Sequence, residues 1–166
     1  MSTDDRREHW EGVYSEKETD ELTWYQERPD ISIELIEEAA RRADTGDPVR
    51  LIDVGAGAST LEDHLADRSG WAITAVDLAD SALERTRERI GGERAERVDW
   101  VVAEVTEPLG DLGAIDLWHD RAVFHFLTDA ADREAYLANL ERMVPDGGHA
   151  VISTFSLEGP ETCSGL

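Results

Sequence analysis

A carboxylate two positions before a pair of glycines, at the end of an apolar run, is the arrangement with the most chemistry in this sequence. It occurs in LIDVGAGAST (51–60), where Asp53 precedes Gly55 and Gly57. Glycine at such a bend permits a tight turn and close approach of a ligand to the backbone. A second acid, Asp77, closes the run AITAVD (72–77) and is followed by Leu78. It stands about 20 positions after Gly57, the spacing of an acid that accepts hydrogen bonds from both ribose hydroxyls. A third, Glu104, lies in VVAEVTEPL (101–109), where it can face an adenine amine with Val105 against the ring. The fourth group is IDLWHDRAVFHFL (115–127), which supplies His119, Asp120, Arg121 and His125. Such a set can move a proton or form an ion pair that shapes a pocket.

The ligand follows from the first motif. A dinucleotide fingerprint requires G-x-G-x-x-G, with a pyrophosphate on the helix N-terminus. Thr60 occupies the last glycine position, and the Asp53 carboxylate suits a pyrophosphate poorly. It suits an ammonium group, such as the methionine end of S-adenosyl-L-methionine. A nicotinamide-dependent oxidoreductase is therefore the weaker enzyme reading.

These residues need a scaffold that brings strand ends together. Residues 49–54, 71–76, 98–103, 114–119 and 149–155 read as short apolar strands. Between them, 59–68, 80–90 and 132–144 read as helices, and 30–43 as a helix before the first strand. Ile31, Leu35, Ile36, Ala39 and Ala40 define the apolar face of 30–43. Tyr136, Leu140, Met143 and Val144 define that of 132–144. Ser59 and Glu62 form a capping-box pattern. Strands alternating with helices predict an α/β, doubly wound, parallel sheet, with ligands beyond the strands' carboxyl ends.

The 166 residues are about one domain. Lys+Arg total 16 against 38 Asp+Glu, a net charge of -22 spread along the chain. Such a field repels nucleic acid and anionic membranes. It fits a halophilic, high-salt setting in which screening tolerates self-repulsion. No apolar run is long enough for a membrane span. The charged N-terminus shows no signal peptide, and the single cysteine, Cys163, forms no internal disulfide, so a cytoplasmic location is expected.

With these motifs in hand, residues of about 10–155 resemble the class I S-adenosylmethionine-dependent methyltransferases. They are most similar to a bacterial and archaeal group of small methyltransferase-domain proteins, distantly like thiopurine methyltransferase. HWEGVY (9–14), LTWYQ (22–26), LIDVGAGAST, AVDLADSAL (75–83), WHDRAVFHFL (118–127) and PDGGHAVISTF (145–155) carry the resemblance. It implies that Asp53, Gly55 and Gly57 hold the methionine part, Asp77 the ribose and Glu104 the adenine. Asp120 and Arg121 would border the methyl group. Trp10, Tyr14, Trp24 and Tyr25 would fold over the cofactor, making 1–29 an aromatic cap on a Rossmann-like domain over 30–166. Enzymes of this class carry two more strands after the fifth. The domain is thus expected to be truncated there, with an oligomer or partner covering the fifth strand's edge.

The expected reaction is in-line methyl transfer to a small molecule or a protein side chain. Asp120, His119 and His125, in that order, are the expected bases. No Asn-Pro-Pro-Tyr or Asp-Pro-Pro-Tyr segment follows the fourth strand, which counts against nucleic-acid amino groups as acceptors. A non-catalytic S-adenosylmethionine-binding protein is the remaining rival.

Overall fold

The computed structural model describes residues 1–22, 24–43, 45–156 and 158–159. Cys163 and the rest of 160–166 lie outside these, so the reading of Cys163 is not addressed structurally. The strands are β1 (Val49–Val54), β2 (Trp71–Asp77), β3 (Val98–Val102), β4 (Leu117–Arg121) and β5 (His149–Ser153). The helices are α1 (Thr3–Glu16), α2 (Asp30–Arg42), α3 (Leu61–Leu65), α4 (Asp80–Ile90), α5 (Gly92–Ala95) and α6 (Ala130–Met143). All strand pairs are parallel, in the order β3-β2-β1-β4-β5. The expected doubly wound α/β sheet is therefore the observed one.

Period-two alternation sorts each strand between two cores. Leu51, Ile73 and Leu117 face one way and pack with Ile33 and Ile36 of α2 and Leu61 and Leu65 of α3. Ile52, Val54, Val76 and Trp118 face the other way, against Tyr136 and Met143 of α6. A third cluster joins Tyr14 of α1 and Leu22 to Ala79 and Ala82. It fastens the N-terminal segment over the β1 and β2 tips. Among the described residues no helix is long and apolar enough to cross a membrane.

Several local expectations need correction. Helix 59–68 is only Leu61–Leu65, and its capping box does not form. Ser59 Oγ accepts from the Leu61 N–H, while Glu62 turns inward and is fully buried. Burial of a carboxyl beside Asp53 displaces the local cap. Ile31 and Leu35 are exposed, and Ser32, Ile33, Ile36 and Ala39 form the inner face of α2. The face is rotated because α2 meets the sheet through Ser32, above β4. The fourth strand starts at Leu117, not at 114; Ile115 is buried but its N–H bonds to the Met143 carbonyl. Finally, α1 is a helix that the apolar pattern of 1–29 does not predict. Ser2 caps it, accepting from the Asp5 N–H at 3.2 Å while Asp5 accepts from the Ser2 N–H at 3.1 Å.

Candidate functional site

A cavity of about 680 Å³ opens at the carboxyl ends of the strands. That size lies within the range of small-molecule sites. Asp53, Gly55, Asp77, Leu78, Glu104 and Val105 all border it, as do His119, Arg121 and Trp24. Of the expected cofactor-binding residues only Gly57 is not on the cavity wall; the rest converge on one space.

The floor is made by neighbouring strands. Register pairs Asp53 of β1 directly with His119 of β4. His119 Nδ1 lies 2.6 Å from Asp53 Oδ1, and its Nε2 lies 3.0 Å from Ser32 Oγ. Burial holds the imidazole down to about 4, so it is neutral at pH 7. Its Nδ1–H then donates to Asp53, and Nε2 accepts from the Ser32 hydroxyl. Burial raises Asp53 to about 7, partly countered by Glu62 and by the Arg121 charge. Burial raises Glu62 well above the usual carboxylate range, and the adjacent Asp53 adds to this.

Asp77, at the end of β2, accepts from the Ala79 N–H at 2.8 Å. Burial lifts it to about 7 against the pull of the Ala79, Gly57 and Leu78 backbone N–H groups. Gly55 and Gly57 have φ of +70° and +37°. A Cβ on Gly57 would sit 2.5 Å from Tyr14 Oη and 2.9 Å from Asp77 Oδ2. The cradle between Asp53 and Asp77 therefore has room for backbone alone.

Glu104 is engaged by a residue the motifs did not suggest. Arg6 of α1 donates from Nε to Glu104 at 3.0 Å, from Nη1 to Asp132 at 2.7 Å and from Nη2 to Thr106 at 3.0 Å. This fastens α1 across the β3 end. The aromatic segment does reach the cavity: Trp10 meets Trp24 edge-on at 5.9 Å and Phe126 at 5.0 Å. Arg121 borders the cavity and donates to the Trp24 carbonyl at 3.0 Å.

Two of the four expected catalytic residues stand elsewhere. Asp120 is fully buried and outside the cavity wall. Its carboxylate accepts from Tyr136 Oη at 2.7 Å and from the Val123 and Phe124 N–H groups at 2.8 and 3.1 Å. Alternation along β4 turns it away from the face that carries His119 and Arg121. His125 also misses the cavity; its ring packs against Phe126 and Phe155 at 4.1 and 4.6 Å. Arg6, Ser32 and Glu62 were missed as site residues. Only Glu62 left a signal, an acid beside Leu61 and one turn from Leu65 on an inward face.

The buried acids set a pH dependence of stability. Asp53 and Asp77 have folded values raised above the carboxylate norm. Between about pH 4 and 7 the folded state therefore binds more protons than the unfolded chain, and stability falls as pH rises. His119 acts oppositely but only below about pH 6.5. Thermal unfolding of the ligand-free protein should give a higher midpoint at pH 6.5 than at pH 8. The reverse order would contradict the buried state of these acids.

A family model described as a methyltransferase domain matches residues 52–150. Over 117 residues the chain is 37% identical to a malonyl-[acyl-carrier protein] O-methyltransferase of Geobacter sulfurreducens, covering 70% of this chain and 41% of that protein. Over 107 residues it is 30% identical to nodulation protein S of Rhizobium tropici, covering 62% and 42%. The chain therefore spans about two fifths of the length of the curated relatives it matches. Among solved structures, a TehB-like SAM-dependent methyltransferase from Corynebacterium glutamicum superposes with a TM-score of 0.59 at 17% identity. That superposition covers 90% of this chain and 71% of the other.

Proposed function

The chain belongs to the methyltransferase domain family and has the class I, Rossmann-like fold of its S-adenosylmethionine-dependent members; on that premise we propose that it is a methyltransferase acting on a small molecule or a protein side chain. The observation that carries this reading is the convergence of Asp53, Asp77 and Glu104 on one cavity, from three successive strand ends, around a glycine bend that excludes side chains. Three carboxylates in a row match a ligand with an ammonium, a diol and an exocyclic amine. They do not match a pyrophosphate.

Asp53 takes the amino-acid end of S-adenosyl-L-methionine, Gly55 and Gly57 lie along it, and Asp77 accepts from the ribose hydroxyls. Leu78 and Val105 flank the adenine, and Glu104 has lone pairs left for its amine. Residues 1–29 act as the cap, with Trp24 over the cavity. When bound, the cofactor supplies a methyl group already activated on a sulfonium. What remains for the protein is alignment of the acceptor and exclusion of water.

Each carboxylate and imidazole bordering the cavity already has a partner. The residues thus fit an acceptor that reaches the site deprotonated, or loses its proton to water. Arg121, at the β4 end, faces the acceptor side. The acidic surface favours a high-salt setting, and it disfavours nucleic acid as acceptor.

Equilibrium dialysis with S-adenosyl-L-methionine and with NAD tests the reading. The former should bind and the latter should not. Asp77→Ala should weaken binding by about 1–3 kcal/mol, the cost of lost charged hydrogen bonds. Preference for NAD would overturn the assignment. Single-turnover assays with labelled methyl donor and a panel of thiols, amines and carboxylates then separate an enzyme from a binding module. Cofactor bound with no acceptor methylated would favour the module.

A further inference from the structure

Asp53 is held from three sides. His119 of β4 meets Oδ1 at 2.6 Å and is itself pinned by Ser32 of α2 at 3.0 Å. Glu62 of α3 lies against it from the third side. Glu62 is fully buried, and no N–H or O–H group among the described residues donates to either of its oxygens. The titratable groups nearest to it are the Asp53 carboxyl and the neutral His119 ring. Two carboxyls buried together are compatible only when they share a proton. Asp53 also borders the cavity, so whatever binds there meets the Asp53 side of this pair.

We propose that Ser32, His119 and Glu62 are positioning residues that hold Asp53 as a proton-sharing carboxyl, so that the ammonium of the cofactor binds in exchange for a proton. The inference rests on the reading of Asp53 as the amino-acid end of the S-adenosyl-L-methionine site.

The charges around the pair decide the direction. Glu62, on the α3 side, keeps its proton at neutral pH because burial holds it well above the usual range. His119, on β4, is neutral and donates to Asp53. Arg121, also on β4, favours the charged form of Asp53, while Asp120 and Asp77 oppose it. The balance leaves Asp53 near 7 without ligand. An ammonium arriving in the cavity adds a cation and drives Asp53 to its charged form. The displaced proton leaves to solvent. Ser32 Oγ at Nε2 holds the ring in place, and the Asp53 carboxylate at Nδ1 selects the tautomer in which Nδ1 donates.

Below the ligand-free value, affinity should therefore fall by up to about tenfold per pH unit. The informative window is roughly pH 5.5 to 7, where the ligand's own ammonium stays protonated.

The experiment is calorimetric titration with S-adenosyl-L-methionine in two buffers of different ionisation enthalpy, which counts protons released on binding. The wild-type protein should release about half to one proton across that window. Asp53→Asn should bind more weakly and lose a proton from that count. Asp77→Asn, which removes the other raised acid from the cavity, should retain a release. Glu62→Gln still donates to Asp53 through its amide, so it should keep the release and bind within about threefold of wild type. Glu62→Leu removes the donor and should weaken binding by at least about tenfold, with the pH midpoint shifted upward.

Wild-type binding with no proton released would overturn the proposal. So would an equal release from Asp53→Asn, or a Glu62→Leu protein that binds like wild type at every pH. If Glu62→Leu does not fold, Glu62→Gln and Asp53→Asn decide. Absence of any wild-type binding would overturn the parent reading as well, which keeps the two failures distinct.

Discussion

Asp120→Ala lowers the stability of this fold by about 3–5 kcal/mol, the range of a broken buried network. Among the described residues, the carboxylate it removes is the single acceptor for Tyr136 Oη and for the Val123 and Phe124 N–H groups. Tyr136 in turn accepts from Trp118 Nε1 at 2.8 Å, so the chain of bonds runs from β4 to α6. Each buried donor left without an acceptor costs about 1–3 kcal/mol. Part of this is offset, because burial also penalises the charged carboxylate itself. Asp120→Asn keeps a carbonyl oxygen and should recover a share of the loss. Denaturant midpoints measure the difference. A loss below about 1 kcal/mol, against the range expected for this network, would show that Asp120 is not the keystone of the β4–α6 contact.

Gly57→Ala should reduce cofactor affinity by at least about a hundredfold, close to 3 kcal/mol. Two costs combine. At φ +37° an L side chain is strained, by about 1–2 kcal/mol for a left-handed position. The added Cβ also meets Tyr14 Oη at 2.5 Å and Asp77 Oδ2 at 2.9 Å. Tyr14 is buried and wedged by Trp10 and Trp24, at 6.1 and 6.3 Å between ring centres. Asp77 therefore yields, and the proposed acceptor for the ribose moves with it. Gly147→Ala is the control. Its φ is +91°, yet nothing lies within 4 Å of the Cβ it would gain. It should cost stability and leave binding alone. Equal affinities for wild type and Gly57→Ala would remove the glycine bend from the site.

The strands were legible because burial on both faces forces continuous apolar runs, and these stand out against so acidic a background. The glycine bend and Asp77 were legible because their chemistry is local: a turn, then an acid at a strand end. What stayed hidden depends on distant packing. In α1 no apolar stripe announces a helix; its place is set by Arg6 reaching Glu104 and Asp132 and by aromatic edges across the cavity. Glu62 carries a capping-box pattern, yet the tertiary partner Asp53 outcompetes the backbone N–H. The place of Asp120 follows from the strand period. Once β4 is a strand, alternation alone puts Asp120 opposite His119 and Arg121, and only one of those faces opens on the cavity. The strand end marked the neighbourhood, and the parity of the residue decided its role.

The order β3-β2-β1-β4-β5 reverses direction at β1, and this places a seam through the cavity. On one side, under the proposed reading, β1 to β3 grip a donor molecule that never changes. On the other, β4 and β5 present Arg121, Thr154 and Phe155 to whatever is to be modified. The two halves share a floor but not a wall. Drift in the loops after β4 and β5 can thus retarget the chemistry without retuning the grip on the donor, which gives this architecture a ready route to new acceptors.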